Sequence, residues 1–81
     1  MLEHPVSTAL TVVTEVHADP ADTMRDLGQM INDSRDGFAH QIRDFAAGET
    51  FSVSVVSLSH TLEESSEGRS FATAIMELQA R

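Results

Sequence analysis

The side chains in this sequence that could do chemistry are carboxylates, four histidines, hydroxyls and five basic residues, every one of them arginine. Cysteine, lysine, tyrosine and tryptophan are absent. Without cysteine there is no disulfide, thiolate ligand or thiol nucleophile, and without lysine there is no Schiff-base amine and no P-loop lysine. Acid–base work would fall to His and carboxylates alone. Ser59 and His60 are neighbours on a predicted strand, where adjacent side chains point to opposite faces and cannot form a nucleophile–base pair. No G-x-S-x-G turn is present. The expectation is a chain without catalytic residues, and no enzyme.

Two groups have spacings that could bring metal ligands together. Asp36, His40 and Asp44 lie at i, i+4 and i+8, on one side of a helix. His17, Asp19 and Asp22 cluster at a predicted helix start. Neither matches a zinc H-E-x-x-H pattern or a calcium loop, so no metal site is expected. The glycines at 28, 37, 48 and 68 form no G-x-G, which leaves no phosphate-cradling loop and no cofactor to expect. Gly28 borders the apolar side of the predicted helix, where it would allow close packing. Phe38, Phe45, Phe51 and Phe71 are the only aromatics and stand among carboxylates, a poor platform for stacking nucleic-acid bases.

The carboxylates themselves carry the most information. On a helical wheel of ~100° per residue, Asp22, Asp26, Asp33, Asp36 and Asp44 fall within about 80° of one another, with His40 among them. They cover about 33 Å of helix, with Arg25 and Arg43 along one flank. Glu63, Glu64 and Glu67 add a second acidic group in a predicted turn. A row of carboxylates of this length has the charge pattern of a polyanion and suits a positively charged groove.

Elements to position these groups are readable along the chain. Alternating Val and Thr predict a strand over about 8–17. Asp19-Pro20-Ala21-Asp22 is a helix start, with Asp19 as cap and Pro20 in the first turn, and Gly48 is a left-handed stop. Between them Met24, Ile31, Phe38 and Phe45 recur every seven residues, with Leu27 and Ile42 at helical spacing. All six fall within about 60° of the wheel, which predicts one helix over about 20–47, with a bend possible near Gly37. Asp33-Ser34-Arg35-Asp36-Gly37 reads locally as a turn, and Arg35 projects into the apolar sector. Strands are predicted over about 50–62 and 69–79, joined by an acidic turn ending in Gly68. The apolar phase of the first changes at Val55-Val56, which calls for a β-bulge or for a sheet covered on both faces. The lengths match, since 26 helical residues span about 39 Å and eleven strand residues about 36 Å. The expected fold is α+β: a single β-α-β-β domain over residues 1–81, its three-stranded, antiparallel-rich sheet covered on one face by one long helix.

One helix covers one face, so the other would show Val56, Leu58, Leu62, Phe71 and Ile75, with Val13, to solvent. That is a self-association surface and predicts a homodimer or higher homo-oligomer. The 81-residue chain carries a formal charge of −8, from thirteen acids against five arginines, which opposes direct contact with nucleic-acid phosphates. No basic leader and no apolar run of membrane-spanning length is present, and the expectation is a soluble cytoplasmic protein away from the membrane.

Small, acidic, cysteine-free single domains are common among phage and mobile-element products such as anti-CRISPR and anti-restriction proteins, and this chain is similar to them in type. The expected function is a non-catalytic acidic protein-binding module, an inhibitor or modulator of a nucleic-acid-handling complex that engages a basic protein surface. The alternative is a homo-oligomeric small-molecule binding or storage protein. In that reading the chain resembles dodecins in topology alone, since it lacks a Trp to stack on a flavin and its helix is longer.

Overall fold

The last strand holds the fold together. A computed structural model describes residues 2–65 and 67–81, with the side chain of Phe45 outside the described part. The order is β1 (Val6–Val13), α1 (Pro20–Phe45), β2 (Val53–Glu64) and β3 (Ser70–Ala80). β3 lies between β1 and β2 and pairs antiparallel with both, from Val6 opposite Ala80 on one side to Glu64 opposite Ser70 on the other. The result is the expected α+β arrangement, with a three-stranded antiparallel sheet and one long helix.

β3 alternates strictly. Ala72, Ala74, Met76, Leu78 and Ala80 are almost completely buried and face the helix, while Ile75 and Glu77 are exposed on the other side. The small side chains let α1 lie close along β3, and Leu27, Phe38, Ile42 and Ala46 close the core from above. α1 is unbroken through residues 33–37. Its turn-like composition there is overridden because Ser34 and Phe38 continue the side that faces the sheet.

That side differs from the predicted stripe at its N-terminal end. Met24 is exposed and Thr23 is fully buried. Thr23 Oγ1 lies 2.6 Å from Ser70 Oγ and 3.3 Å from the Ser70 carbonyl, so a polar residue takes the buried position there in place of the apolar one. Arg35 is exposed on the flank of the helix. Gly28 was expected to allow close packing, but a Cβ built there meets nothing within 4 Å, and the same holds at Gly37.

β1 ends at Val13, short of the predicted residue 17, for a local reason. The Thr14 hydroxyl enters the ladder and accepts from the Ala72 amide at 2.9 Å, where a carbonyl would otherwise sit. Pairing resumes only as a bridge between His17 and Ser70. In β2 the predicted bulge is present, as a register shift between Val55 and Ser57. Asp19 caps α1 by accepting from the Ala21 amide at 2.9 Å, and Pro20 stands in the first turn. After the C-cap, Ala47 (φ 53°) and Gly48 (φ 85°) both take left-handed backbone, a region that an alanine enters only with strain.

Two stability effects follow. Ala47→Gly removes that strain and Gly37→Ala removes a helix-interior glycine, and each is expected to raise unfolding stability by about 1 kcal/mol in urea titrations. Thr23→Val leaves the Ser70 hydroxyl buried without its partner and lowers stability by about 2 kcal/mol. Thr23→Val with Ser70→Ala recovers part of that loss, which a double-mutant cycle measures.

Candidate functional site

The acidic side chains on α1 lie on its outer side, turned away from the sheet. Asp22, Asp33, Asp36 and Asp44 are exposed, as is His40. The hairpin places the acidic turn at the same end of the molecule as the start of α1, because Glu64 pairs with Ser70 and Ser70 contacts Thr23. Glu63, Glu64 and Glu67 are exposed there. Acidic side chains thus line the outer side of the helix and recur beyond its N-terminus at the turn, where Glu64 stands on the helix side of the sheet and Glu63 on the open side, on a molecule 50 Å long and 16 by 14 Å across.

The five aspartates are not equivalent. Asp26 is half-buried at the edge nearest β1, where its Oδ2 lies 2.8 Å from His17 Nε2, and both side chains are 28% exposed. Asp22 accepts from Arg25 at 3.1 Å, an exposed i, i+3 pair, and Asp33 accepts from Gln29 at 2.9 Å. Asp36 and Asp44 have no hydrogen bond or ion pair among the described residues. Negative charge uncompensated by a neighbouring cation is therefore concentrated at Asp33, Asp36 and Asp44, with Glu63, Glu64 and Glu67 beyond the other end.

The His17–Asp26 pair was not predicted, since nothing in a nine-residue separation between a loop and a helix signals contact. It ties the end of the β1 crossover to the first turns of α1. It also lines an open cleft of about 400 Å³ with Asp22, Arg25 and Gln29. A His–Asp pair can orient a general base, but the nearby hydroxyls are engaged elsewhere. Thr14 Oγ1 donates to the Glu15 carbonyl and accepts from Ala72, and Thr23 Oγ1 is bound to Ser70. Among the described residues, no three His, Asp or Glu side chains converge as a metal-binding group. A second open cleft, of about 450 Å³, lies at the far end of the molecule between Ala39, Arg43 and Ala46 of the helix and Phe51 and Val53.

The predicted self-association residues do not share a face. Phe71, Ile75 and Val13 stand on the open side of the sheet, among Thr73, Ser59, Thr61 and Glu63. The bulge shifts the rest of β2 so that Leu58 and Leu62 lie opposite Met76 and Ala72, the buried helix-side positions of β3. They are nevertheless 46% and 43% exposed, because α1 does not reach over this part of the edge strand. Val56 is the extra residue of the bulge, 44% exposed. The open face carries less apolar surface than the sequence suggested, and the β2 flank carries more.

No family model, curated protein or solved structure matches this chain. Among the described residues, no helix is long and apolar enough to cross a membrane.

The partly buried His17–Asp26 pair contributes to stability. In a double-mutant cycle with His17→Ala and Asp26→Ala at neutral pH and low salt, a coupling of about 0.5–1 kcal/mol is expected.

Proposed function

We propose that this protein is a non-catalytic binding module that uses its acidic helix face to engage a basic protein surface, and that it inhibits or modulates a nucleic-acid-handling complex. The observation that supports this most is the exposed row Asp33, Asp36 and Asp44, with further exposed carboxylates at Glu64 and Glu67 beyond the other helix end and at Glu63 on the open side of the sheet. Those six side chains face solvent on a chain of net charge −8. Such a surface steers basic partners and repels phosphates.

The charge density favours contact with protein over strict imitation of a duplex. Duplex DNA carries one charge per ~1.7 Å of axis, whereas five aspartates spread over about 33 Å give one per roughly 8 Å. Asp22 is also paired with Arg25, and Asp26 is half-buried against His17. A basic patch lined by separate arginines or lysines matches that spacing better than a groove built to hold continuous phosphates. A second copy of the chain is the other partner proposed, through apolar surface distinct from the acidic face.

Immobilised protein is expected to retain a basic protein or nucleoprotein from a host lysate at low salt and release it as salt rises. Asp33→Asn, Asp36→Asn and Asp44→Asn together should weaken retention at least tenfold. Glu63→Gln, Glu64→Gln and Glu67→Gln should weaken it less. Full retention by the triple Asn variant overturns the reading.

A further inference from the structure

The far part of β2 is an edge strand that its own molecule leaves bare on both sides. Every residue from Val56 to Glu64 is exposed, three of them large and apolar. The other edge strand differs, since Val6, Thr8 and Leu10 of β1 are half-buried and Val12 is buried under the helix. Edge strands of soluble proteins are usually guarded by charges, prolines or bulges. Here the bulge lies upstream at Val55–Ser57, and no charged residue or proline occurs between Thr50 and Leu62.

The unguarded stretch is nearly the same read in either direction. Leu58-Ser59-His60-Thr61-Leu62 is a pseudo-palindrome centred on His60. If two copies pair antiparallel about that residue, each Leu58 stands opposite the partner's Leu62, each Ser59 opposite the partner's Thr61, and the two His60 face each other. A strand self-matched about a point is what a twofold, isologous contact needs. Charge selects the same occupant. A chain of net charge −8 repels its own copy everywhere except at an uncharged surface, and a basic partner would gain nothing from this one.

We infer that two copies of this chain associate through β2, pairing residues 58–62 antiparallel about His60 into a continuous six-stranded sheet. The inference deepens the self-association proposed above and fixes the surface that carries it. In that arrangement both helices lie on the same face of the sheet. The two β3 strands are three strand spacings apart, about 14 Å, which is little more than the width of a helix. The trough between the helices is floored by Leu58, His60 and Leu62 from both copies. Five paired residues span about 17 Å, and a strip about 10 Å wide on each side buries some 330 Å² per copy. That is below the ~800 Å² per partner of a standard stable interface, so a dissociation constant in the micromolar range is expected.

Sedimentation equilibrium on the intact chain should show a monomer–dimer equilibrium at micromolar concentration. Leu58→Asp with Leu62→Asp should raise the dissociation constant at least 100-fold. Both positions are exposed, and an unchanged circular dichroism spectrum verifies the fold. Because the chain has no cysteine, single cysteines map the contact independently of that variant. His60→Cys should cross-link to dimer with a short bismaleimide. Ser54→Cys, about 40 Å from its own copy in this pairing, and Ala9→Cys on the β1 edge should not. Leu58→Cys mixed with Leu62→Cys should give the mixed dimer. A wild type that stays monomeric at 100 μM overturns self-association altogether. A dimer that cross-links through Ile75→Cys and not through His60→Cys overturns the edge pairing and assigns the contact to the open face. Chains longer than dimers, joining β2 to β1, overturn it as well.

Discussion

The contact on which everything else depends is the burial of one face of β3 beneath α1. β3 is the only strand that bonds to both others, and its helix-side row of Ala72, Ala74, Met76, Leu78 and Ala80 is the floor of the core. Small side chains in that row allow a close approach of helix to sheet, and Leu27, Phe38 and Ile42 fill the remaining space. Because β3 comes last in the chain, β1 and β2 remain unpaired until it is in place. Its pairings with β1 join residues 60 or more apart, and such non-local contacts are the slow, entropically expensive part of folding.

Polar interactions hold the end of the molecule where the helix begins. The Thr23 and Ser70 hydroxyls meet at 2.6 Å in a buried site, Thr14 substitutes its hydroxyl for a backbone acceptor opposite Ala72, and His17 joins Asp26 beside them. No buried side-chain polar atom among the described residues is left without a partner. At the opposite end the core is closed by apolar contact of Phe38, Ile42 and Ala46 with the sheet, flanked by Phe51 and Val53. A buried hydroxyl pair is directional, so it sets the axial position of the helix on the sheet, whereas apolar packing alone leaves more freedom to slide.

The surface follows from the same geometry. A helix about 10 Å wide seated on the central strand shields one face of that strand but not both edges. It turns its carboxylates outward and leaves the β2 flank uncovered. An acidic face and an uncharged apolar edge thus occupy separate sides of an elongated molecule.

Element order, the single helix, its cap at Asp19 and the irregularity at Val55-Val56 were legible in the sequence. Each is set by local chemistry or by periodicity within one segment. The acidic side of the helix was legible for the same reason, because its wheel position depends on spacing alone. What only the tertiary structure decided were facts about neighbours. Thr23 is buried in place of Met24 because Ser70, 47 residues away, offers it a hydrogen bond. Asp26 leaves the exposed row because His17 folds back onto it. Leu58 and Leu62 face the helix side and yet stay exposed, because one extra residue changes their register and the helix lies elsewhere. Periodicity reports which residues of a segment share a side. What covers that side depends on where other segments come to lie, and the sequence of one segment does not carry that information.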